Sequence, residues 1–136
     1  MEEQLDVCNA GPEDLESVMG FLKPFMDEKL ILPRTSVELE LLLRHAFLAK
    51  IAGQIVGFVA LEVYSKKLAE IQCLAVSPDH RRMGIGGELV RSCVARAHEQ
   101  KVREVMAITA TDELFQTCGF DYALPGQKRA LFVQTE

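Results

Sequence analysis

The segment from Ala69 to Ala97 constrains this chain more than any other: AEIQCLAV, then SPDHRRM, then GIGGELVRSCVARA. Its first part alternates and then turns continuously apolar at Ile71, Cys73, Leu74, Ala75 and Val76, the pattern of a largely buried strand, and Pro78 ends it. After a polar, basic loop, Gly84, Gly86 and Gly87 open a segment whose apolar residues Ile85, Leu89, Val90, Cys93, Val94 and Ala97 recur at helical spacing. The unit is therefore strand, basic glycine-rich turn, helix.

That order has a use. A helix N-terminus carries backbone N–H groups without intrahelical partners and about half a positive charge from its aligned peptide dipoles, so it attracts an anion. Glycines let a phosphate approach the backbone without meeting a Cβ, and Arg81 and Arg82 add full charges beside it. The turn suits a phosphate or pyrophosphate. A Walker-type loop is excluded, because no Lys-Ser or Lys-Thr pair follows a glycine. A dinucleotide fingerprint would need glycine at Leu89 and a tight turn in place of Ser77 to Met83.

What Arg81-x-x-Gly84-x-Gly86 does match is the R/Q-x-x-G-x-G/A signature of the GNAT acetyltransferase superfamily, where this turn holds the pyrophosphate of acetyl-coenzyme A. The preceding AEIQCLAVSP, the following helix and the later ITATDELFQTCGF resemble the family in order and spacing. Further, LPRTSVELELLLRHAFLAK, GQIVGFVAL and GFDYALPGQKR look like the acetyltransferase domain of N-acetylglutamate synthase, a resemblance running from about Lys29 to Lys128.

The rest of the chain fits one α/β domain spanning residues 1–136, with 49% hydrophobic residues to fill its core. Leu5 to Asn9 alternates as a short strand. Pro12, Glu13 and Asp14 start a helix with Leu15, Val18, Met19 and Leu22 on one face, which Pro24 is expected to limit. Thr35 with Glu38 forms a capping box before Leu39, Leu42, Leu43 and Ala46. Phe47–Ile51 and Gln54–Val63 make a hairpin around Ala52-Gly53, and Lys66-Lys67 marks the next turn. Glu104–Thr109 is predicted as a strand, Asp112–Cys118 as a short helix, and Phe120–Ala123 and Ala130–Gln134 as two last strands around Leu124-Pro125-Gly126. This order is a mixed sheet with flanking helices.

A net charge of −5 argues against nucleic acid or an anionic membrane as the main partner. No apolar run approaches the roughly 20 residues that span a bilayer, and MEEQLDV is unlike a signal peptide, so a soluble, cytoplasmic protein is expected. Cys8, Cys73, Cys93 and Cys118 are scattered, without C-x-x-C or a histidine at ligand spacing. No metal and no disulfide are expected. His45, His80 and His98 lie far apart, and no catalytic dyad is legible.

The remaining expectations come from the resemblance. In the GNAT fold the two central parallel strands, here Ala69–Val76 and Glu104–Thr109, splay apart around acetyl-coenzyme A. Leu74, Ala75 and Val76 would then line the pantetheine arm, and Arg81, Arg82, Met83, Gly84, Ile85, Gly86 and Gly87 would hold the pyrophosphate. A backbone N–H near Leu74 would serve the oxyanion, and Glu70 stands where some members keep a general base. A strand glutamate paired with a lysine is the other reading of Glu70. Phe115 occupies the place where many members carry a tyrosine that protonates the leaving thiolate, which leaves Cys118, Tyr122 and Tyr64 as alternatives. Arg34, Lys128 and Arg129 correspond to cations near the acceptor, whereas a C-terminal arginine and serine used by N-acetylglutamate synthases have no counterpart. The implied activity is acetyl transfer from acetyl-coenzyme A to the primary amine of a small, amino-acid-like molecule. A protein-lysine or N-terminal acetyltransferase and a silent acyl-coenzyme A sensor are the alternatives, and the sequence leaves monomer and homodimer open.

Overall fold

The computed structural model describes residues 4–109, 111–122 and 131–135. Among these residues five strands, Leu5–Asn9 (β1), Ala46–Ile51 (β2), Gln54–Val63 (β3), Leu68–Val76 (β4) and Glu104–Met106 (β5), form one sheet in sequence order. β1 to β4 pair antiparallel and β5 joins β4 in parallel. A parallel neighbour needs a crossover, and the helix Ile85–Glu99 (α3) supplies it. The hairpin turn between β2 and β3 has positive φ at both Ala52 (53°) and Gly53 (78°), the geometry whose twist matches the flanking strands.

Strand alternation divides the core in two. On one face Phe47, Ala49, Val59 and Leu61 pack under Ile85, Leu89, Val90 and Cys93 of α3 and under Phe115 of the short helix Asp112–Thr117 (α4). On the other, Leu48, Phe58 and Ala60 pack under Val18, Leu22 and Phe25 of Leu15–Asp27 (α1) and Leu39 and Leu42 of Ser36–Leu42 (α2). Gly57 permits the close seating of α3: a Cβ there would meet Leu89 Cδ1 at 3.0 Å and Ile85 Cγ2 at 3.1 Å. The capping box opens α2 as expected, with Glu38 N donating to Thr35 Oγ1 (3.2 Å) and Thr35 N to Glu38 Oε1 (2.9 Å).

Three expectations need correction. Pro24 does not limit the first helix, since α1 continues to Asp27. Burial of Phe25 against the sheet and its ring contact with Phe21, centroids 5.3 Å apart, hold the last turn despite the missing N–H. β5 ends at Met106, not Thr109, because its pairing with β4 stops there. Neither Phe120–Tyr122 nor Leu131–Gln134 is a strand. Phe120 instead stacks edge-on against Phe115 at 5.3 Å, while Leu131, Phe132 and Val133 have no ladder partner among the described residues and are 91%, 76% and 83% exposed. Ala123, Leu124-Pro125-Gly126 and Ala130 lie outside the described residues.

Candidate active site

The site begins with an irregularity in β4. Gln72 faces Ala60 and Ala75 faces Phe58, so Cys73 and Leu74 together oppose the single Val59. Cys73 takes a left-handed φ of 57°, which for a residue with a Cβ costs roughly 1–2 kcal/mol. A bulge of this kind re-aims side chains and leaves an extra residue outside the ladder. Ala69 and Ile71 belong to the core under α3, whereas Cys73 and Ala75 belong to the core under α1 and α2. Leu74 and Val76 turn the opposite way, and Leu74, like Cys73, falls outside the paired register. On the other edge β5 pairs only to Glu70, while β4 runs on to Val76. The parallel strands part there, and the edge from Ile71 to Val76 is open among the described residues.

The open edge leads into the basic turn. Ser77 N still donates to Val56 O at 2.8 Å, a 3-10 turn covers Pro78–His80, and Arg82 (φ 67°) and Gly84 (φ 76°) are both left-handed. Gly84 caps α3 without any side-chain hydrogen bond, and nothing lies within 4 Å of where its Cβ would stand. The first amides of a four-turn helix are thus offered outward beside two exposed arginines. Met83 is half exposed, whereas the Ile85 side chain is committed to the core and leaves only its amide for a ligand. Gly86 lies close to α4: a Cβ there would meet Leu114 Cδ2 at 3.3 Å. Gly87 is buried beneath Arg91, whose Nη1 would stand 3.1 Å from an added Cβ. The residues fit a pyrophosphate continued by an extended arm along β4.

Beyond the bulge, on the face covered by α1 and α2, a polar network joins three strand residues and Tyr64, just past the end of β3, to the loop between those helices. Arg34 Nη2 donates to Gln72 Oε1 at 2.6 Å, and Arg34 Nη1 to its neighbour Pro33 O at 3.1 Å. Gln72 Nε2 lies 3.0 Å from Glu62 Oε1 and 3.1 Å from Glu70 Oε1. Tyr64 donates to Glu70 Oε1 at 2.6 Å, with Glu62 Oε1 at 3.2 Å. Partial burial of the hydroxyl, then the two carboxylates, push the Tyr64 pKa well above its ordinary value, so the phenol stays protonated and acts as a donor. Among the described residues Glu70 has no lysine partner; it shares Tyr64 and Gln72 with Glu62. Beside Arg34 a groove of ≈ 450 Å³, with Met19, Met26 and Pro33 in its walls, leads to solvent.

The sequence points to Glu70, Arg34 and Tyr64 but not to Glu62 and Gln72. Their spacing held the signal: Glu62 in β3 and Tyr64 just past its end stand two apart, as do Glu70 and Gln72 in β4, and Glu62 faces Glu70 across the two strands. Lys128 and Arg129 lie outside the described residues. Phe115 is a core residue, 5% exposed, and takes no part in the polar site. Cys118 Sγ lies 3.9 Å from Gly87 O and from Arg91 Nη1. The Tyr122 hydroxyl donates to Asp112 Oδ2. All four cysteines are free, and burial pushes Cys93 up to about 12. Among the described residues no group of three His, Cys, Asp or Glu lies together as a metal site, and no helix is long and apolar enough to cross a membrane.

Residues 15–120 match the model of the acetyltransferase (GNAT) family. An uncharacterized N-acetyltransferase of Chlorobaculum tepidum is 32% identical over 117 residues, 85% of this chain and 76% of the relative. An amino-acid acetyltransferase of Pasteurella multocida is 27% identical over 135 residues, 95% of this chain but only 31% of the relative's length. Among solved structures, a Mycobacterium tuberculosis protein in complex with CoA superposes with a TM-score of 0.76 at 26% identity, covering 84% of this chain and 70% of that one.

Proposed function

Because this chain belongs to the acetyltransferase (GNAT) family and is an acetyl-CoA-dependent N-acetyltransferase, we propose that its acceptor is the primary amine of a small, amino-acid-like molecule. The observation that carries this reading is the joining of Arg34 to Glu70 through a single glutamine amide. A guanidinium that recognises a carboxylate and a carboxylate that recognises an ammonium stand one amide apart, which suits a molecule bearing both charges. The likeness to amino-acid acetyltransferases over nearly the whole chain supports it.

The chemistry asks little of the protein beyond placement. An acceptor amine must lose a proton before its nitrogen attacks the thioester carbonyl carbon; the C–S bond then breaks, and the thiolate leaves and takes up a proton. Glu70 is the base, directly or through one water. The Leu74 amide, outside the β ladder, meets the negative charge that gathers on the carbonyl oxygen. Arg81, Arg82 and the amides from Met83 to Gly87 hold the pyrophosphate, and the open edge at Leu74, Ala75 and Val76 receives the pantetheine arm. Thiolates are good leaving groups, so Phe115 in place of a hydroxyl acid does not forbid turnover. Lys128 and Arg129 would add cations for a second carboxylate.

The test is a thiol-release screen with acetyl-CoA over free amino acids, amines that lack a carboxylate, and basic peptides. Amino acids should be turned over fastest. Polyamines or peptides outcompeting them would overturn the acceptor assignment, and no amine-dependent release at all would overturn the catalytic roles.

A further inference from the structure

The amide of Gln72 is surrounded in a way an amide does not need. Arg34 has only donors, so Gln72 must turn Oε1 toward it and Nε2 away, toward the strand carboxylates. Around Nε2 stand three acceptor oxygens: Glu62 Oε1 at 3.0 Å, Glu70 Oε1 at 3.1 Å and the Tyr64 hydroxyl at 3.4 Å. An amide nitrogen has two N–H bonds and no charge, so it cannot serve all three. Glu62 and Glu70 are also direct cross-strand partners, an arrangement that repels unless a cation lies between them. The salt bridges among the described residues, Lys23 with Asp27 and Arg96 with Glu99, lie elsewhere.

We propose that this three-oxygen nest is the seat of the acceptor's ammonium, and that Gln72 holds the place until the acceptor arrives. A primary ammonium brings three N–H donors and a full positive charge to the same oxygens. Once the Gln72 side chain swings aside, the Arg34 bond passes from its Oε1 to an oxygen of the acceptor. The amide's own atoms give the scale: its oxygen and nitrogen sit on one carbon, so the acceptor carries its carboxylate or carbonyl oxygen a few atoms from its amine, as an α-amino acid or its amide does. Of the two carboxylates, Glu70 takes the departing proton, while Glu62 keeps the nitrogen seated. Glu62 is thus a specificity-determining residue and Gln72 a displaceable one. This rests on the acceptor reading above and adds to it two residues and a bound geometry.

The experiment is steady-state kinetics with whichever of the twenty common amino acids the wild type acetylates fastest, alongside the KM for acetyl-CoA. Glu62→Gln, which keeps the shape and removes the charge, should raise the amino-acid KM about tenfold or more, the worth of a hydrogen bond to a charged group. The loss should appear in KM rather than kcat and leave the acetyl-CoA KM alone, and Glu62→Asp should recover part of it. Gln72→Ala should lower the amino-acid KM, because a competitor for the nest is gone. An unchanged KM in Glu62→Gln, or a joint fall of kcat and acetyl-CoA affinity as a structural role would give, overturns the nest. So does a Gln72→Ala variant whose KM rises as far as that of Glu62→Gln, since Gln72 would then be a ligand and not a placeholder. A wild type that acetylates peptides or polyamines but no amino acid removes the acceptor reading itself, a different failure from a wild type that acetylates amino acids without needing Glu62.

Discussion

Replacing Gly86 by aspartate tests the pyrophosphate turn with little harm to the fold. Gly86 is the second residue of α3, and among the described residues an added Cβ would meet the flexible Leu114 side chain at 3.3 Å and Val76 Cγ2 at an ordinary 3.9 Å. Glycine to aspartate gains only about 0.3 kcal/mol of helix propensity, and an acid in the first turn is favoured by roughly 0.3–1 kcal/mol. The ligand-free variant should therefore melt within a few degrees of wild type. Coenzyme A at about one hundred times its Kd stabilises the wild type by about 2.7 kcal/mol, or about 10 °C for a domain of this size. In the variant a carboxylate about 4 Å from a phosphate charge costs about 4 kcal/mol at an effective dielectric of 20, nearly three decades in Kd. At the same concentration the shift should fall below about one degree. Differential scanning fluorimetry with and without coenzyme A measures both numbers, with Gly86→Ala as the control for bulk without charge. A wild type that does not respond refutes the cofactor assignment; equal shifts in wild type and Gly86→Asp refute its location at this turn.

Three further expectations follow from the same geometry. Glu70→Gln should lower kcat more than it weakens acetyl-CoA binding, and the loss should shrink as pH rises toward the amine's pKa, where less acceptor needs deprotonating; a loss equal at every pH would mark a structural glutamate. Arg34→Ala should raise KM about tenfold or more for a carboxylate-bearing amine and spare a neutral amine of similar size, and equal effects on both would show that Arg34 merely braces the loop. Burial, then Arg96, whose Nη1 lies 3.1 Å from His45 Nδ1, and Arg44 hold the His45 pKa below its ordinary 6.5. As pH falls through 6.5 the unfolded chain takes the proton first, so stability is complete above that value and declines below it. Denaturant melts from pH 7.5 to 5 should show this decline flattened in His45→Gln, and parallel curves would assign it to other groups.

Much of the molecule was legible in the chain because it depends on near neighbours. The capping box at Thr35 and Glu38, the Ala52-Gly53 hairpin, and the strand, basic turn and helix from Ala69 onward each rest on contacts within a few residues. Period and punctuation report such contacts directly, so the fold class and the basic glycine-rich turn before α3 could be read from them. The polar network around Gln72 could not. Alternation along β4 puts Cys73 and Ala75 on the face of Ala69 and Ile71, and only the pairing register with β3 inserts the bulge that sends them to the other side. Pro24 reads as a helix end until Phe25 finds the core, and Glu104–Thr109 reads as one strand until β4 diverges from it. Arg34 reaches Gln72 across 38 residues of chain, and Glu62 meets Glu70 only because two strands lie side by side. Hydrophobic period and local propensity decide which elements form and which face they bury. The juxtaposition of polar groups from different elements is decided when the elements pack, and in this protein that packing brings one arginine, two glutamates, a tyrosine and a glutamine around a single point.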